Sequence, residues 1–235
     1  MKNLLLLLLL LSLNVYSQTI ESYFEIPKDY KRIIQSDYHN WIISKKINTK
    51  DEVKYYDGRV KKGLNSVYKA KFVYDIGKKN SHHCADAAIY NNARYLFDTK
   101  QYTKIAYTFT DGTLYSYVKY LKNKKNNLVN FKDYLDKIWW YAGTWSLQEY
   151  DTVKVSIENM QVGDIFLIGG FPGHTMSVVD MIENSEGNKK FMLAQSFMPA
   201  QEQHILLNMD DVWFDSVNEI PWSFTVKDLR RFKHK

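Results

Sequence analysis

The sequence predicts an α+β fold, with a helical lobe packed on an antiparallel sheet. Two observations carry the prediction. Between residues 82 and 141 apolar side chains recur at helical spacing. After residue 160, short apolar runs are separated by glycine-rich or polar turns, the pattern of consecutive hairpins. Helices followed by a strand meander indicate an α+β domain.

The chain opens with a segment set apart from that fold. Lys2 is a short positive head, Leu4 to Leu11 are an unbroken leucine run, and Val15 and Ser17 stand at the −3 and −1 positions of a cleavage site before Gln18. This order of charge, apolar run and small residue is that of a secretory signal peptide. The run is shorter than the ~20 residues a bilayer span needs, so no membrane span is expected in the mature protein. No Cys follows the run, which excludes a lipid anchor there. Residues 1–17 are therefore read as a signal peptide, and residues 18–235 as a single α+β domain of an exported protein, periplasmic or extracellular.

Residues 18–50 form a lead-in with apolar anchors at Ile33, Ile34, Trp41, Ile42 and Ile43. Residues 66–76 partly alternate and predict a strand. Residues 82–98 predict a helix, with Ala85, Ala88, Ile89, Tyr95 and Leu96 on one face and Ser81 as N-cap. Residues 114–121 and 131–141 predict two further helices. Residues 165–168, 174–182 and 191–197 predict three strands, joined by the Gly169-Gly170-Phe171-Pro172-Gly173 turn and by a polar turn around Gly187.

Composition narrows the function. The 45% apolar and 25% charged fractions are ordinary for a globular chain. The 15% aromatic fraction, with 18 Tyr and 6 Trp, is high and suits cores and sugar- or peptide-binding grooves. The formal charge of +6 falls by one with removal of Lys2, and favours anionic surfaces only weakly. No nucleic-acid motif is present, and export argues against that partner.

Cys84 is the one cysteine of the chain. It cannot form an internal disulfide, and an unpaired thiol in an oxidising compartment is either buried and inert or kept for reactivity. Its place in the first turn of a helix favours reactivity, because the N–H groups there lower a thiol pKa. His174 begins a strand directly after the glycine-rich turn and is the candidate general base. Gln195, on the next strand, is the candidate group that orients it. Backbone N–H groups near Cys84 would hold the oxyanion.

Cys at a helix start, His on a strand and a polar residue on the next strand resemble papain-like cysteine hydrolases of the NlpC and CHAP type, which act on peptidoglycan. Gly163-Asp164-Ile165-Phe166 and Gly173-His174 are similar to the corresponding stretches of those enzymes. That likeness implies a papain-like core and Cys84, His174 and Gln195 as catalytic residues. A closer resemblance spans nearly the entire mature chain. Tyr56-Asp57-Gly58, Cys84-Ala85-Asp86-Ala87, Tyr141-Ala142-Gly143-Thr144, Gly173-His174, the run Leu193 to Gln201, Trp222-Ser223-Phe224 and Asp228 to Phe232 look like the bacterial domain-of-unknown-function family 4846. That family brings no established activity with it.

The expected function is amide hydrolysis on cell-envelope peptide, with no cofactor. The rivals are a non-catalytic envelope protein binding glycan or peptide in the same cleft, and a structural partner in a larger envelope complex. His82, His83, Cys84 and Asp86 carry atoms able to ligate zinc. Neighbours on a helix diverge by ~100°, so no metal site is expected. His82 and His83 are expected to face solvent, Asp164 to serve a turn, Gln201, Glu202 and Gln203 to line a cleft rim, and Trp139, Trp140 and Trp145 to serve mostly the core, with one exposed Trp able to stack on a sugar.

Overall fold

The computed structural model describes residues 18–233, so the signal segment 1–17 lies outside the described residues. The chain is a mixed α+β fold. In chain order its main sheet comprises β1 (Tyr30–Arg32), β2 (Ile47–Asn48), β3 (Tyr68–Phe72), β4 (Thr152–Lys154), β5 (Ile165–Ile168), β6 (His174–Asn184), β7 (Lys189–Gln195), β8 (His204–Leu206), β9 (Trp213–Phe214) and β10 (Leu229–Phe232). The spatial order is β2-β3-β8-β7-β6-β5-β10-β4, with β1 beside β6 and β9 beside β7. Every pairing within this sheet is antiparallel.

The expected meander forms its centre. His174 pairs with Ile168, and Ser177 pairs with both Ile165 and Ala194. The side-chain period of two decides which core each residue joins. Ile165 and Leu167 belong to one apolar cluster, together with Ala85, Ala88, Ile89 and Leu96 of helix α2 (Cys84–Asp98) and Phe131, Leu135 and Ile138 of helix α3 (Leu128–Tyr141). Phe166, Met176 and Val178 belong to a second, with Phe191, Phe214 and Phe224. Each buried Leu, Ile, Val, Met or Phe among them contributes about 1.5–3 kcal/mol. The first cluster therefore anchors α2, with Cys84 at its start, against the sheet. The lead-in joins the second cluster through Ile42 and Ile43 of helix α1 (Asp37–Ile43).

The structure departs locally from the expected elements at three places. Helix α2 begins at Cys84 with His83 as N-cap, not after Ser81. Ser196 Oγ donates to the His82 carbonyl at 3.2 Å, holding that residue against the end of β7. Residues 114–116 form a strand paired with residues 106–108, and only Tyr117–Leu121 is helical. The turn at Asp111-Gly112 closes this hairpin, and pairing overrides the helical spacing of the apolar residues. The strand expected over 66–76 contracts to Tyr68–Phe72. No helix among the described residues is long and apolar enough to cross a membrane.

Candidate active site

A cavity of about 290 Å³ opens where the start of α2 meets the start of β6. Cys84 and His174 both line it, and Gln195 lies behind His174. The thiol wall comes from α2. Cys84 is the first helical residue, and Asp86 Oδ2 accepts the His83 N–H at 2.8 Å, satisfying one of the helix's open donors. The imidazole wall comes from β6. Its ring packs on Trp222 at 4.4 Å, Phe197 at 5.1 Å and Phe224 at 6.1 Å between centroids.

His174 Nε2 stands 2.7 Å from Gln195 Oε1. An amide oxygen only accepts, so Nε2 carries the proton and donates it. Nδ1 is then the basic nitrogen, and it has no hydrogen-bond partner among the described residues. Burial holds His174 down to about 4, the Gln195 bond opposing that shift and the nearby Lys61 charge adding to it. The ring is therefore neutral at physiological pH and able to accept a proton.

The thiol departs from its expected state. Burial pushes Cys84 up to about 11, and the Asp86 charge adds to the rise. The N–H groups of Thr175, Ala85 and Cys84 itself act in the opposite direction and are outweighed. A helix start lowers a thiol pKa when the sulfur keeps some contact with water; here Cys84 is only 7% exposed. Among the described residues no hydrogen bond joins the sulfur to the His174 ring, so the resting pair is a neutral thiol and a neutral imidazole.

The glycine-rich lead-in sets this geometry. A Cβ on Gly173 would collide with the Gly170 carbonyl oxygen and with Thr144 Oγ1. Thr144 Oγ1 donates to that same carbonyl at 3.3 Å, tying the turn to the segment after α3. Only a glycine before His174 allows this close approach.

Other expectations need correction. His82 is fully buried rather than solvent-facing, edge-on to Trp139 at 5.0 Å, and burial holds it down to about 4. Gln201 and Gln203 are buried, not on a rim; Gln201 accepts from Lys61 Nζ at 2.7 Å and Gln203 from the Tyr74 hydroxyl at 3.1 Å. Trp139 is core, but Trp140 and Trp145 are exposed. Asp164 does serve a turn, accepting the Gln161 N–H at 2.8 Å, and it also binds Arg231 Nε at 2.6 Å. Among the described residues no cluster of His, Cys, Asp and Glu is placed to hold a metal.

Sequence spacing missed two members of the site. Trp222 supports the His174 ring from a segment 48 positions downstream, which no local pattern reveals. Asp86 lines the cavity with Oδ1 buried and unpartnered, and burial raises its carboxyl well above the usual range. Its position at the third residue of α2 was legible, but its burial was not.

No curated protein and no solved structure matches the chain. A family model described as domain of unknown function (4846) matches residues 20–231. That span contains the helix start with Cys84, the His174 strand, Gln195 and Trp222, and the chain belongs to this family.

Proposed function

We propose that the protein is an exported hydrolase with a papain-like, NlpC/CHAP-like core, cleaving an amide bond in cell-envelope peptide through Cys84 and His174. The observation that carries this reading is the His174–Gln195 bond at 2.7 Å beside a cavity that also holds Cys84. It leaves a basic Nδ1 on a ring whose tautomer that bond sets.

Because the resting pair is neutral, attack is coupled to proton transfer. Substrate fills the cavity and excludes water, and His174 Nδ1 moves within reach of the thiol. Nδ1 takes the thiol proton as sulfur bonds to the substrate carbonyl carbon. The carbonyl π electrons move to oxygen, where N–H groups at the α2 start hold the oxyanion. Collapse breaks the C–N bond, and the imidazolium proton goes to the leaving amine. Water then attacks the thioester, giving up a proton to His174, and returns Cys84 as a thiol with release of the acid. General-base assistance of this kind contributes about 10²–10⁴-fold.

The test is turnover of a peptidoglycan fragment. Cys84→Ser and His174→Ala should each abolish product formation while circular dichroism stays unchanged. N-terminal analysis of exported protein should begin at or within a residue or two of Gln18. Turnover that survives Cys84→Ser would overturn the proposal.

The second reading, a non-catalytic protein that binds glycan or peptide in the same cavity, is favoured by the deep burial of the sulfur and its lack of a bond to the ring. It expects peptide binding without turnover and no dependence of Cys84 alkylation on bound peptide beyond simple shielding.

A further inference from the structure

The cavity lining is lopsided in charge. Among the described residues no Lys or Arg lines it. Its walls include Trp139, Phe171, Phe197 and Trp222, and its single acidic side chain among the described residues is Asp86. Asp86 is 3% exposed, and Oδ1 has no hydrogen-bond partner. The other oxygen, Oδ2, already accepts the His83 N–H at 2.8 Å and lies 3.9 Å from His83 Nδ1. One oxygen thus caps the helix, and the cap does not need the second. A buried carboxyl oxygen without a partner carries a desolvation cost that a bound donor would remove. Aromatic faces around a carboxyl attract a cation in particular.

From this juxtaposition we infer that Asp86 is the specificity residue of the cavity, seating a primary ammonium group of the ligand between the aromatic walls. The inference rests on the proposed peptide-cleaving function for the kind of ligand, but not for the binding itself. In envelope peptides the ammonium has two sources, the amino terminus and the side chain of a diamino acid. Burial raises the free Asp86 carboxyl well above its usual range. An arriving ammonium would favour its ionised form, and the carboxyl proton would leave to solvent. Lys61, near the His174 wall, lies over the Phe197 ring and donates to Gln201 Oε1 at 2.7 Å, so an anionic ligand meets no lysine or arginine among the described lining residues. An N-acylated ligand would leave Oδ1 unpaired.

The experiment is calorimetric titration of the Cys84→Ser protein, in which turnover cannot interfere. The probes are four forms of the stem peptide L-alanyl-γ-D-glutamyl-L-lysyl-D-alanine: unmodified, acetylated at the amino terminus, acetylated at the lysine side chain, and acetylated at both. The unmodified peptide should bind on the order of a hundredfold tighter than the doubly acetylated one, the scale expected for losing one partner of a buried pair. Whichever single acetylation reproduces that loss identifies the source of the ammonium. Asp86→Asn in the same background keeps an acceptor for the His83 N–H and should bind all four forms alike. Equal binding of the four forms by the parent protein, no measurable binding of any form, or discrimination that survives Asp86→Asn overturns the inference. Absence of turnover by the wild-type protein with discrimination intact overturns only the hydrolase proposal.

Discussion

His174 reaches Gln195 through Nε2, 2.7 Å from Oε1, and this bond decides which ring nitrogen is basic. Two strands hold it: His174 opens β6, and Gln195 closes β7. Gln195→Ala should release the ring and reduce kcat by about a hundredfold, the cost of a small misplacement of a reacting group. Gln195→Glu should keep the contact but place a carboxylate beside the ring, stabilising the imidazolium. The acid limb of the rate profile should then move to higher pH, a shift that a purely structural role for Gln195 would not produce. Steady-state kinetics across pH for both variants tests this.

The wild-type profile follows from the same geometry. Burial holds His174 down to about 4 and pushes Cys84 up to about 11. The free enzyme should therefore keep its basic nitrogen down to about pH 4, and kcat/KM should fall only below it. Alkylation of Cys84 by iodoacetamide in the absence of peptide should accelerate up to about pH 11. A half-maximal alkylation rate near pH 7 would show a thiolate already formed at rest, contrary to the coupled transfer proposed above.

Gly173→Ala tests the turn that aims His174. A methyl group there meets the Gly170 carbonyl oxygen and Thr144 Oγ1, one of them backbone. Relief requires the turn to shift, at a cost of about 1–3 kcal/mol in urea unfolding. Activity should fall further than stability, because the shift carries His174 with it.

Stability should depend on pH through buried groups of opposite sign. Burial lowers His82 and His174 to about 4 and His204 to about 3 from 6.5. Below about pH 6.5 the unfolded chain binds protons that these rings refuse. Each ring thus removes up to about 1.4 kcal/mol of stability per pH unit as pH falls towards its folded value. Asp86 acts the other way. Its raised folded pKa means the unfolded chain loses a proton that the folded protein keeps, so its contribution declines as pH rises above 3.8. Asp86→Asn, which removes that titration, should raise the melting temperature more at pH 7 than at pH 4. Thermal unfolding of both proteins from pH 4 to 8 measures the two slopes.

One ion-paired site lies away from the cavity. Asp180 is fully buried, accepts from Arg32 Nε at 2.9 Å and stands 2.8 Å from His39 Nε2, fastening β1 and α1 to β6. Asp180→Ala would leave the half-buried Arg32 guanidinium and the buried His39 ring without their shared partner and should cost about 3–5 kcal/mol in urea unfolding. The pH profile of whatever protein remains folded should match wild type, because the site is held by other residues.

The α+β class and the meander were legible in the sequence because both rest on local periodicity. Ile165 to Ile168 alternate between two cores, the apolar residues of the run from His174 join one of them, and the turn between the two strands is marked by its glycines. Helix α2 was legible from the spacing of Ala85, Ala88, Ile89 and Leu96, and so was the place of Cys84 in its first turn. The pairing of His174 with Gln195 was legible because neighbouring strands of a meander bring together residues a hairpin apart. The helix expected over 114–121 failed where a local hairpin took the first three residues.

Sequence by itself thus determined the α+β class, the central meander, helix α2, the family motifs and the residues that could do chemistry. Tertiary structure decided their chemical state. The first turn of a helix stabilises a thiolate in water, but the packing of α2 on the sheet takes Cys84 out of water and raises its pKa instead. Exposure of His82, Gln201, Trp140 and Trp145 depended on which long-range surface each met, and no local pattern encodes that. The same holds for Trp222 against His174 and for the unpartnered oxygen of Asp86: desolvation and contact are properties of the assembled core, summed over segments far apart in the chain.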